Sequence, residues 1–274
     1  MPNGNFFSTD AAPILPEGHG ALILDPLRAE SVALNPAVSQ TIMSGTRAWT
    51  IPVVATDAAA SWVREGEEIA PSNPTMRDLT IVPAKTAGLV PVSRETMDDS
   101  SPSAREVVGA SLAASIREQV DSAFLGAVAA PAPQGLGTIT PTVITAPLDS
   151  LDPFLDAKAA SAAVGGTPTG ILIHPDDALV LYKLRDQADS NRLLVGETNT
   201  AAGLPLIVTS HATAGQIWLV DARKNYVVVR EDIDVEVSKD AYFSSDRTAV
   251  RAVMRVGFGF VNEAANVRID VDAA

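Results

Sequence analysis

The chain has 274 residues, 46% hydrophobic but only 5% aromatic, enough for one large domain or two modest ones whose core rests on Ala and Val more than on rings. Asp and Glu outnumber Lys and Arg 33 to 20, a formal net charge of −13 that does not draw nucleic acid by its overall field. There is no cysteine, which excludes disulfides, thiolate nucleophiles and Cys-ligated zinc and fits a reducing compartment.

Residues 1–45 read as an extended arm, with Pro2, Pro13, Pro16, Pro26 and Pro36 removing backbone donors and turning their predecessors away from helix. The segment after Met1 has no basic stretch followed by an apolar one, so no signal peptide is expected. No run approaches the roughly 18–20 apolar residues of a membrane span.

Residues 46–94 read as a long β-excursion, two long strands joined at a charged tip. Trp49, Ile51 and Val53 alternate with their neighbours as a strand does. The stretch from Asp57 to Pro74 carries Trp62, Arg64, Glu65, Gly66, Glu67 and Glu68 and is turn material. The chain then returns through Leu79 to Val92.

A helix of about six turns is predicted next, with Ser103 and Glu106 at capping-box spacing. Val108, Leu112, Ile116, Val120 and Phe124 recur every four residues, Val107 and Ala123 widen the stripe, and Arg105, Arg117, Glu118 and Asp121 fall largely off it. It ends near Gly126, and Pro131 to Gly137 form a loop.

An α/β stretch follows. Asp152-Pro153 opens a helix that Gly165-Gly166 stops near Val164. Gly170 to His174 is a short buried strand, and Pro175 starts a helix to about Leu184. Gln187 to Gly203 reads as a loop, then come strands at 206–208, 216–220 and 225–229. Ile233, Val235 and Val237 alternate, Ala249 to Val261 is a long strand, and Val267, Ile269 and Val271 close the chain. Arg251 and Arg255 are four apart, which puts both on one face of that strand.

Catalytic signatures are missing from the sequence. His19, His174 and His211 stand in no metal-binding spacing, and no metal or cofactor site is expected. His174, just before Asp176 and Asp177, reads as a helix-entry residue before it reads as a catalytic base. Gly257-Phe-Gly259-Phe sits in a strand with no following helix, so it is no dinucleotide fingerprint. Asp98-Asp99 and Glu67-Glu68 are adjacent pairs whose side chains diverge, and they read as solvated charge or subunit contact. The both-sign tip suits intermolecular ion pairs, each worth about 0–1 kcal/mol when exposed.

The order of these parts resembles the major capsid proteins of tailed double-stranded DNA bacteriophages, whose Hong Kong ninety-seven-type fold is shared with encapsulins. The phrases that carry the resemblance are Leu89 to Ser100, Pro133 to Gly137, Gly203 to Val208, Gly215 to Asp221, Tyr226 to Arg230 and Tyr242 to Phe258, and it covers roughly residues 20–272. It implies an α+β subunit with an N-terminal arm (1–45), an extended β-hairpin loop (46–94), a peripheral domain with a long spine helix (95–139), an axial α/β domain (140–230) and return strands of the peripheral domain (231–274).

The implied function is structural. Copies assemble into pentamers and hexamers of an icosahedral head that encloses double-stranded DNA without sequence-specific binding, in a virion assembled in the host bacterial cytoplasm, with no membrane partner. Trp62, Arg64, Glu65, Glu67, Glu68 and Arg77 are the expected inter-subunit contacts. A portal and a decoration protein are partners the resemblance brings with it. A separate scaffolding protein is expected, because the residues before the family-like order lack helical periodicity. The tip 57–75 has no Lys, and Lys85 lies toward the base, so no Lys–Asn cross-link is expected. The alternatives are an encapsulin-type compartment shell and an unrelated α/β enzyme.

Overall fold

The structure is a computed structural model that describes residues 31–95, 104–185, 192–195 and 199–272. The arm before residue 31, His19, Asp98-Asp99, the capping residue Ser103 and much of the loop after Gln187 lie outside the described residues.

Two sheets organise the body, and a two-stranded hairpin stands beside them. The four-stranded sheet has the order β1 (Gln40–Met43), β10 (Asn225–Tyr242), β11 (Arg247–Phe260) and β4 (Ala84–Ser93). β1 pairs parallel to β10, and the other neighbours are antiparallel. Its inner face carries helix α1 (Ala104–Leu125). The four-residue repeat predicts this packing: Leu112, Ile116, Val120, Ala123 and Phe124 are buried against Val250, Ala252, Met254, Val256, Phe258 and Phe260 of β11. Even-numbered β11 residues share one face, which is why an unbroken set of them meets the helix. Val107, expected to widen the stripe, is instead exposed. Asp121, expected off it, is buried.

The six-stranded sheet has the order β5 (Thr142–Ala146), β12 (Val267–Val271), β9 (Gln216–Val220), β6 (Gly170–Ile173), β8 (Leu204–Val208) and β7 (Thr200–Ala201). Helices α2 (Asp152–Ala163) and α3 (Pro175–Lys183) cover one face, where Phe154, Ala157, Ala178 and Leu181 pack on Ile171, Ile173, Ile217, Leu219 and Ile269. α2 stops as its glycines predict: Gly165 has φ +76, and the Val164, Gly165 and Gly166 amides fold back on Ser161 and Ala162 carbonyls. Leu172, Trp218 and Val220 point to the other face and join the core under residues 32–38.

That short segment joins the two sheets. The Asp121 carboxylate accepts from Ser31 Oγ (2.7 Å), the Val32 amide (3.2 Å) and the Ala33 amide (2.9 Å). Thr169 Oγ1 donates to the Ala37 carbonyl (2.8 Å), and Asn225 Nδ2 to the Val38 carbonyl (3.2 Å). Asn225 and Asn266, both fully buried, bond each other through their amides at 3.0 and 2.9 Å where the chain crosses between the sheets.

Three boundaries differ from the sequence reading. The return limb of the excursion is two strands: β3 (Thr75–Ile81) pairs with β2 (Trp49–Thr56), while β4 turns away into the four-stranded sheet. Pro83, which cannot donate to a ladder, marks the break. The stretches at 225–229 and 233–237 are one strand, β10, whose irregularities at 229–231 and 231–234 let it bend without ending. The closing strand does not stay with the other return strands. β12 lies between β5 and β9, because Val267 and Ile269 alternate into the core under α2.

Candidate assembly surface

The hairpin β2–β3 has its own two faces. Its register opposes Trp49 to Ile81, Ile51 to Leu79 and Val53 to Arg77 on one face, and Thr50 to Thr80, Pro52 to Asp78 and Val54 to Met76 on the other. The first face is apolar apart from Arg77. Only its root, Ile81, is buried, at 2% exposure; Trp49, Ile51, Val53 and Leu79 are half-buried. A lone two-stranded ribbon is marginal in water, so one whose apolar face is only half covered needs a further covering surface.

The tip, residues 57–74, has no regular structure and every residue of it is exposed. One turn gives it shape: the Glu67 amide donates to the Arg64 carbonyl (3.1 Å), with Gly66 at φ +86, where a side chain would be strained. Arg64, Glu65 and Glu67 belong to this turn, and Glu68 and the fully exposed Trp62 flank it in sequence. Val63, Ile69 and Met76 add exposed apolar area along the same element. The sequence reading passed over Ile69 and Met76, although a large apolar residue flanked by charge and proline was the available signal.

Arg77 does not join the tip. It stands on β3, and its Nη2 donates to the Val261 carbonyl (2.7 Å) of the same chain, tying the hairpin root to the body. Lys85 lies on β4 opposite Arg255, at the base of the hairpin.

Of the residues weighed for chemistry, His174 serves structure. His174 Nδ1 accepts from the Asp176 amide (3.2 Å) and caps α3. Arg251 pairs with Glu236, and Arg255 with Glu231 (2.7 Å), on the outer face of the four-stranded sheet. Among the described residues no group of three or more His, Asp or Glu side chains is placed to hold a metal ion, and no helix is long and apolar enough to cross a membrane.

The fold is that of known capsids. The capsid of the native GTA particle superposes with a TM-score of 0.73 at 17% identity, over 87% of this chain and 91% of that one. A Mycobacterium phage Bobi chain gives 0.72 at 21% identity over 99% and 96%, and a Microbacterium phage Oxtober96 chain 0.73 at 20% over 88% and 91%. The fold class is therefore the α+β architecture of capsid subunits. In sequence, the capsid polyprotein of Pseudomonas phage PAJU2 is 27% identical over 200 residues, 68% of this chain, and the chain spans 30% of that relative's length. The phage capsid family model matches residues 13–271, and the chain belongs to that family.

Proposed function

We propose that the chain is the major shell subunit of a phage head, assembling into pentamers and hexamers of an icosahedral shell around double-stranded DNA. The observation that carries this reading is the hairpin: its root is tied to the body, while among the described residues Trp62, Ile69 and Met76 further out along it stay exposed. A neighbouring copy is the cover that a self-assembling protein always has at hand. In that arrangement Trp62, Arg64, Glu65, Glu67 and Glu68 meet the neighbour, and Arg77 stands at the edge of the contact. The α1 body takes the peripheral place and the six-stranded body the axial one, with its loops around the ring axes. Each contact is weak, and a closed shell sums many of them.

The acidic charge suits a container that confines DNA without binding its sequence. The virion is the place of action and the host cytoplasm the place of assembly. A scaffolding protein, a portal and a decoration protein are the partners such a head takes. The likeness to phage capsids in sequence and fold favours this reading over an encapsulin-type compartment.

The test is a chain in which residues 58–73 are replaced by a two-residue turn. The expected product is a folded subunit with the parent's circular dichroism that makes no closed shells. Normal shells from this variant would show that the tip with Trp62 makes no contact that assembly needs.

A further inference from the structure

The phrase Gly257-Phe258-Gly259-Phe260, which is no cofactor fingerprint, ends β11 with two different faces. Phe258 and Phe260 point inward onto Phe124 of α1, with ring centroids 5.2 Å apart at 85° and 5.9 Å apart at 43°. Gly257 and Gly259 point outward, where β3 and the link after it cross over the strand. A methyl group on Gly259 would lie 2.6 Å from Ile81 Cγ1 and 3.3 Å from Leu79 Cδ2. One on Gly257 would lie 2.9 Å from Ile81 Cγ2 and 3.1 Å from Pro83 Cα. The next outward position, Val261, offers its carbonyl to Arg77 at 2.7 Å. Ile81, Leu79 and Arg77 are alternate residues of β3, so one face of the hairpin is seated along one face of β11.

Glycine weakens a strand interior, and two in alternate positions call for a reason; the close approach of the hairpin supplies it. We propose that Gly257 and Gly259 are positioning residues for assembly: they form a saddle that sets the hairpin's bearing against α1, and with it the angle at which neighbouring subunits meet. This rests on the shell reading given above. From Ile81 to Arg77 the footing is about 13 Å, so raising one end by about 1 Å tilts the hairpin by about 4° and moves a tip about 25 Å away by about 2 Å. Packed interfaces do not absorb such a shift smoothly.

The experiment compares the full chain with Gly259→Ala, Ile81→Ala and the double variant, by hydrogen exchange on unassembled subunits and by particle diameter in electron micrographs. Gly259→Ala is expected to speed exchange of the Arg77–Ile81 amides about tenfold and to shift or broaden the diameter distribution. The double variant, with room restored, is expected to return the parent's diameter. Parent-like exchange and diameter for Gly259→Ala, or a defect that the double variant leaves in place, would overturn the saddle. Should Gly259→Ala not fold, Ile81→Ala alone removes the side chain seated at the glycines, and parent-like exchange of the Arg77–Ile81 amides there overturns the saddle equally. A parent chain that forms no shells defeats the assembly reading, and the exchange comparison then decides the seating by itself.

Discussion

Asp121 shows how far a single residue can be read. Helical periodicity places it off the apolar stripe of α1, beside Arg117 and Glu118 on the polar side. It is buried all the same, at 2% exposure, because residues 31–33 bring three donors to its carboxylate. Periodicity describes one helix in isolation; it cannot see a partner 88–90 residues away in sequence. Phe124, by contrast, was legible, since its place in the stripe depends only on the helix. Asp121→Ala leaves a hydroxyl and two amides without their acceptor in the core. The expected loss is about 2–4 kcal/mol of subunit stability, read as a lower urea midpoint at unchanged slope. Asp121→Asn, which keeps an acceptor oxygen, is expected to lose less. A midpoint for Asp121→Ala equal to the parent's would show that the arm turn is not fastened there.

At the scale of the element, local pattern located the strands and helices well but not their partners. The excursion's alternation was visible, yet nothing in it said that Pro83 divides the return limb between two sheets. The split follows from seating: Ile81 is held at the glycines of β11, and β4 is needed beside the same strand further along. β10 raises a different question. β1 covers its outer edge only as far as Val229, and among the described residues no strand pairs with that edge from Arg230 to Tyr242. Bulges and the exposed charges Glu231, Asp234, Glu236, Lys239 and Asp240 blunt it. This guards against edge-to-edge pairing while the hairpin directs association. Glu236→Val with Asp240→Val should therefore raise light scattering during refolding several-fold over the parent. Equal scattering would mean that the edge needs no guard.

For the whole molecule, the order of arm, excursion, long helix, α/β stretch and closing strands was enough to suggest the family, and the match over residues 13–271 shows it. The pairing of the two sheets was not legible. β12 follows β11 in sequence by a short crossing, yet it belongs between β5 and β9 in the other sheet. The buried Asn225–Asn266 pair and residues 32–38 make that crossing possible by satisfying the backbone where the sheets meet. The result is a body on which the hairpin is seated by its root and, among the described residues, leaves Trp62, Ile69 and Met76 exposed. Electron microscopy of the purified chain under assembly conditions tests this most directly. The account predicts closed shells or five- and six-membered rings whose subunits carry the hairpin over a neighbour. A monodisperse monomer under every assembly condition would contradict it.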